Sequence, residues 1–177
     1  MFRRCAILMN NKLDKTIELS AWIITSILLI KYVPKNKIRE AHISFLFKQV
    51  ITWLFGLLVV EKGLISYPNR LFFKKAIKSS FTFEYFVYPA LCSLFNLYYP
   101  EKGSKVVKLI YYGIHTSIIT CFEIFAVKYT NLIKYNNWTW YWSFITMWLS
   151  YYVSRIYHRW FYKSRSINNR IFYNIFK

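Results

Sequence analysis

Polar and apolar positions alternate along this chain in long blocks rather than at strand period. The longest charge-free block runs from Tyr135 to Ser154, 20 residues followed by Arg155, Arg159 and Lys163. At about 1.5 Å per residue such a block crosses a hydrocarbon core about 30 Å thick. Trp138, Trp140 and Trp142 crowd its start and Trp160 its end, which predicts interfacial anchors, because amphipathic rings settle at headgroup level.

Four further blocks are shorter. They are Leu19–Ile30 and Gln49–Val60, each of 12 residues, Tyr85–Pro100 of 16 and Leu109–Phe122 of 14. Runs of that length also occur in soluble helical bundles. Lys31, Lys48 and Lys108 sit at block edges, and their long stems can carry an ammonium to the headgroups. With those lysines included, the pattern predicts five spans at about 17–33, 43–66, 81–100, 106–127 and 138–162. Pro34, Pro68 and Pro100 follow the first three and predict helix ends, since the residue before proline disfavours helix. Pro89 falls inside the third span and predicts a kink. The expected fold is all-α, a polytopic membrane bundle of five transmembrane helices joined by short loops. It comprises a basic N-terminal extension (1–16), the transmembrane domain (17–163) and a basic C-terminal tail (164–177). The tail is read as a short interfacial helix or a frayed end.

Helical angles add detail. At 100° per residue, Thr139, Ser143, Thr146, Ser150 and Ser154 form one stripe of span five. Glu84, Tyr88, Cys92, Asn96 and Tyr99 share a face of span three. His115, Thr116, Thr120 and Glu123 share a face of span four, and Lys48, Thr52, Gly56 and Gly63 one of span two. Polar and small residues on one face point to a bundle interior. Lys48, Glu84, His115 and Glu123 are therefore the candidate interior groups. Charges inside a bilayer cost several kcal/mol, so such groups are normally paired or functional. Glu84 and Glu123 lie at similar distances from the turn joining spans three and four, and so share a membrane face with the loop after span two. Arg70 in that loop is the candidate ion-pair partner for either carboxylate. His115 lies deeper, and its expected role is that of a satisfied hydrogen bonder rather than a proton relay.

Composition narrows the class of protein. The chain of 177 residues is 56% hydrophobic and 22% aromatic, yet carries a net charge of +18. Basic disordered tails are poor in aromatics. Three scattered cysteines exclude a disulfide scaffold, and three histidines show no metal-ligand spacing. Four glycines leave no phosphate-binding loop, and a single Asp excludes paired-Asp chemistry. No metal, cofactor or nucleic acid is expected. Lys and Arg bordering the spans suit anionic headgroups, each gaining about 1 kcal/mol near such lipid. Their split between the two sides, 11 against 14, mildly favours a cytoplasmic C-terminus.

The ordered motifs VPKNKIREAHISFLFKQVITWLFGLLVVEKGLISYPNR, SFTFEYFVYPALCSLFNLYYP, FEIFAVKYTNLIKYNNWTWYW and HRWFYK together resemble an uncharacterised family of small multi-pass membrane proteins from endospore-forming, Bacillus- and Clostridium-type bacteria. The resemblance covers roughly residues 30–163 and is most specific at Gln49–Trp53, Tyr67-Pro68 with Arg70, Phe83-Glu84-Tyr85 with Pro89, and Glu123 with Tyr135 and Trp138. It implies a helical protein of the bacterial cytoplasmic membrane and no particular chemistry. The leading expectation is a non-catalytic structural or partner-binding subunit, meeting a membrane-protein partner or a second copy. The alternative is a small transporter or a proton- or ligand-responsive protein using buried Glu and His. A lipid-modifying enzyme is third.

Overall fold

The structure, a computed structural model, describes residues 2–73 and 75–175, with side chains described for 12–73 and 75–162. It is 75% helical. The α-helices are α1 (Phe2–Tyr32), α2 (Ile38–Glu61), α3 (Tyr88–Leu97), α4 (Lys105–Tyr129) and α5 (Trp140–Ile175). α3 is preceded by a π-helical turn over Thr82–Val87, and β1 (Ile65–Ser66) pairs antiparallel with β2 (Lys134–Tyr135). α2 packs most closely on α3, and α4 packs on α5.

The helix ends have local causes. Pro34 ends α1 through its restriction on Val33. α2 stops earlier than hydropathy predicts, at a Schellman turn. Gly63, at φ +64°, donates to Val60 O at 2.9 Å, and Leu64 donates to Val59 O at 3.0 Å. Glycine adopts that left-handed conformation at no steric cost. Gly63 thus lies beyond the helix and outside the face assigned to Lys48, Thr52 and Gly56. α4 is capped by Ser104, whose Oγ accepts from Val107 N at 3.3 Å.

The region around Pro89 differs from a simple kink. Tyr88 N–H reaches back five residues to Phe83 O, the π-helical bond. That frees the carbonyl of Glu84, and Pro89 has no N–H for the carbonyl of Tyr85. Both are taken up by α2: Thr52 Oγ1 donates to Glu84 O at 2.8 Å and Gln49 Nε2 to Tyr85 O at 3.2 Å. The broken stretch is thereby welded to α2.

The loops after α2 and α4 form one cap. Besides the β1–β2 pair, Asn69 N donates to Asn131 O at 3.0 Å. Buried Asp14 of α1 joins both, accepting from Asn69 Nδ2 at 2.6 Å and Asn131 N at 3.3 Å. Neither this ribbon nor the role of Asp14 was expected from the sequence. At the opposite end, Tyr98 OH donates to Tyr32 O at 2.7 Å, which brings the α3–α4 turn beside the end of α1.

Two boundaries in the sequence reading have no break in the backbone. α1 runs through residue 16, and α5 continues through the tail segment as far as Ile175. The side chains of that segment, and Phe176 and Lys177 entirely, lie outside the described residues.

Burial is inverted relative to a soluble domain. Among the described residues eighteen polar or charged side chains are buried against eleven hydrophobic ones. Ile23, Ile27, Leu54, Leu58, Ile118 and Phe122 are exposed. Two helical segments, Lys35–Glu61 and Lys105–Tyr129, are long and apolar enough to cross a membrane, and both are mostly exposed. Coverage by the rest of the protein therefore does not account for their apolar character. α5 falls short by hydropathy because Trp and Tyr score below aliphatic residues. α3, ten residues long, rises only about 15 Å.

Candidate functional site

The polar groups on α2, α3 and α5 meet in a column between these helices. Lys48 is fully buried, and its Nζ donates to Ser150 Oγ of α5 at 2.6 Å. The ammonium stands 4.0 Å from the Tyr88 ring centroid and 4.8 Å from that of Tyr151. Tyr88 OH in turn lies 2.7 Å from Ser150 Oγ and 3.1 Å from Met147 O. Aromatic faces attract a cation, and more strongly once water is excluded. Lys48 therefore lies in the bundle interior, where its place on the polar face of span two put it, and does not use its stem to reach the headgroups. Its stem points inward because a hydroxyl and two ring faces from α3 and α5 wait there.

This geometry separates shape from charge. Lys48→Met keeps the buried stem and should lie within about 1 kcal/mol of the parent stability, whereas Lys48→Ala leaves a cavity costing about 2–4 kcal/mol. Thermal unfolding of the purified protein in detergent measures both. Equal losses in the two variants would mean that the ammonium, not the packing, holds the joint.

The hydroxyl stripe of α5 continues the column. Ser154 Oγ receives Cys92 Sγ at 3.1 Å and Asn96 Nδ2 at 3.1 Å, both from α3. One residue on, buried Arg155 donates from Nη1 to Asn96 O at 3.2 Å, forms an ion pair with Glu101, and lies 4.3 Å from the Tyr99 ring centroid. His158 Nε2 lies 3.1 Å from Glu40 Oε1 at the start of α2. Arg155 is thus no headgroup cation like the other Lys and Arg bordering the spans, and His158 beside it joins the same end of the bundle. The available signal was register, since Ser154 and His158 are four residues apart on one face.

The two candidate carboxylates occupy different surroundings. Glu84 sits in the π-helical turn, buried, with its carboxylate laid against Gly56 of α2 and Oε2 without a hydrogen-bond partner. Glu123 of α4 is partly buried. Its Oε1 accepts from Tyr135 OH and Ser143 Oγ, each at 2.6 Å, and Trp138 Nε1 donates to the same Ser143 Oγ at 2.8 Å. Trp138 is thus part of the Glu123 network, while Trp140, Trp142 and Trp160 are exposed on the outer surface. Tyr67, in the loop after α2, senses both acids. Burial first, then the charges of Glu84 and Glu123, hold its phenol well above the usual value.

Arg70 braces that loop, donating from Nη1 to Tyr67 O at 2.5 Å and Lys78 O at 3.2 Å. His115 Nδ1 lies 2.8 Å from Tyr111 O of its own helix, with its ring among those of Phe95 and Tyr111. The candidate residues therefore do not converge on one point. Lys48 and Gly56, which carries the Glu84 carboxylate, are eight residues apart on α2, or about 12 Å.

No protein-family model matches the chain, and neither a curated protein nor a solved structure does.

Proposed function

We propose that the chain is an integral membrane protein of a bacterial cytoplasmic membrane that crosses the bilayer five times. In this reading it is a non-catalytic subunit that binds a membrane partner or a second copy. The observation that carries the proposal is the inversion of burial: polar groups interlock inside while aliphatic and aromatic side chains face outward. A solvated surface rarely shows contiguous apolar faces of this extent. The charges Glu40 and Glu61, near the two ends of α2, are about 32 Å apart along the helix, close to the hydrocarbon thickness. α3 with its π-helical turn is shorter, rising roughly 24 Å. Seven of the ten residues of α3 are buried by its neighbours, as are Thr82 and Glu84 of the turn, and broken helix at membrane depth is tolerated where protein surrounds it.

The interior supports a structural role. Glu123, Arg155 and Lys48 are each engaged by a side chain outside their own helix. Such clasps fix helix register and leave the outer apolar faces as the contact surface. A photo-crosslinker placed at exposed Phe122 of α4 should give one discrete adduct in intact cells, and one at buried Tyr151 should give none. A protein that stays adduct-free and purifies as a strict monomer in mild detergent would count against partner binding.

A proton- or ligand-responsive protein is the second reading, favoured by the unpartnered Oε2 of buried Glu84. Under it, Glu84→Gln should abolish a pH response or flux in reconstituted vesicles, and an unchanged response would remove it.

A further inference from the structure

An open cleft of about 810 Å³ lies at the end of the bundle formed by the turn before α2, the α3–α4 turn and the second half of α5. Its charged lining comprises Lys37, Glu40, Glu101, Arg155, His158 and Arg159. The cations exceed the acids by one, counting His158 as neutral. Arg155 is buried, and although Nη1 and Nη2 are engaged, its Nε has no hydrogen-bond partner. Lys37 and Arg159 are exposed at the rim. The lining also includes Leu97, Ile156 and Trp160, and the last two are exposed on the outer face of α5.

We propose that this cleft binds the phosphate of a membrane phospholipid, with preference for a headgroup of net negative charge. The proposal rests on the membrane reading above. One surplus cation matches the single negative charge of a phosphodiester. Arginine suits phosphate because its planar fork of donors matches the oxygens. The apolar side of the cleft distinguishes a lipid from free phosphate: Ile156 and Trp160 connect it to the face that acyl chains would cover, and exposed tryptophan favours the headgroup level. Arg155 lies fifteen residues beyond the start of α5, about 22 Å along the helix, which puts the cleft toward one surface rather than at mid-depth.

Native mass spectrometry of the full chain in detergent, with added phosphatidylglycerol, tests the site. Lys37→Ala combined with Arg159→Ala removes two rim cations that no described ion pair uses. The double variant should weaken phosphatidylglycerol retention about thirtyfold. Lys62→Ala with Lys75→Ala, at the opposite end, should leave retention unchanged. Diacylglycerol should not be retained, and millimolar inorganic phosphate should not displace the lipid. Equal retention by both double variants, or equal retention of diacylglycerol, overturns the proposal. Displacement by inorganic phosphate overturns it in favour of a free-anion site. Alkaline carbonate extraction of the parent chain separates the two levels. Release from the membrane would defeat the membrane reading, whereas a retained protein with unchanged adducts would defeat the lipid site alone.

Discussion

Gly56→Leu should prevent the protein from accumulating in a folded state. A Cβ at position 56 would fall on the carboxyl group of Glu84, which must then swing aside within its buried site. Glu84 is buried, and the backbone of its π-helical turn is tied to α2 by the Thr52 bond to its own carbonyl, four residues from Gly56. The added side chain must either part α2 from the turn or drive a carboxyl group into apolar surroundings. Overpacking and the displaced polar group together cost about 3–5 kcal/mol, a large share of the usual 5–15 kcal/mol. Gly56→Ala should act in the same direction more weakly, by about 1–3 kcal/mol. Adding Glu84→Ala to Gly56→Ala should restore part of the loss, because the obstructing group is gone. Unfolding in detergent gives the coupling, and simple additivity of the two single changes would show that the carboxyl group does not rest on Gly56.

The second large effect is expected at Glu123. Tyr135→Phe combined with Ser143→Ala removes both donors to Oε1 while preserving most of the packing. Stripping the partners from a fully buried carboxylate costs about 3–5 kcal/mol, and from a partly buried one such as Glu123 about 2–3 kcal/mol. Either single change should cost less, because one donor remains. Adding Glu123→Met to the double variant should recover much of the loss, since an apolar side chain needs no donor. If the double variant is as stable as the parent, the Tyr135–Ser143–Glu123 cluster is not a clasp, and the structural reading of the interior loses its best example.

The arrangement of α5 was the most legible part of the chain. Its hydroxyl positions recur at helical spacing, and Ser143, Ser150 and Ser154 each bond to a different set of side chains from neighbouring helices. Helical phase is a local property, so a single sequence carries it. The inward face of Lys48 was legible from helical phase, but the end point of its ammonium was not, because the same flexible stem reaches headgroups or interior equally well. What decides it are Tyr88, Ser150 and Tyr151, 40 to 103 positions further along. Pro89 announced a disturbance in the third helical segment. The π-helical register that resulted depends on Gln49 and Thr52 of another helix. The union of Asp14 with Asn69 and Asn131 is likewise a long-range pairing of residues that each look like ordinary loop or helix-surface positions. The early stop of α2 had a local signal in Gly63, which a hydropathy reading passed over in favour of Leu64 and Ile65.

Cysteine accessibility tests the five-span proposal most directly. Single cysteines replace Lys35, Lys75, Lys102 and Lys134, one in each connection, with Cys5, Cys92 and Cys121 changed to Ala. A membrane-impermeant thiol reagent is then applied to intact cells and to inverted vesicles. The proposal predicts that positions 35 and 102 label from one side and positions 75 and 134 from the other. Labelling of all four from the same side, or of 102 and 134 from the same side, would contradict it.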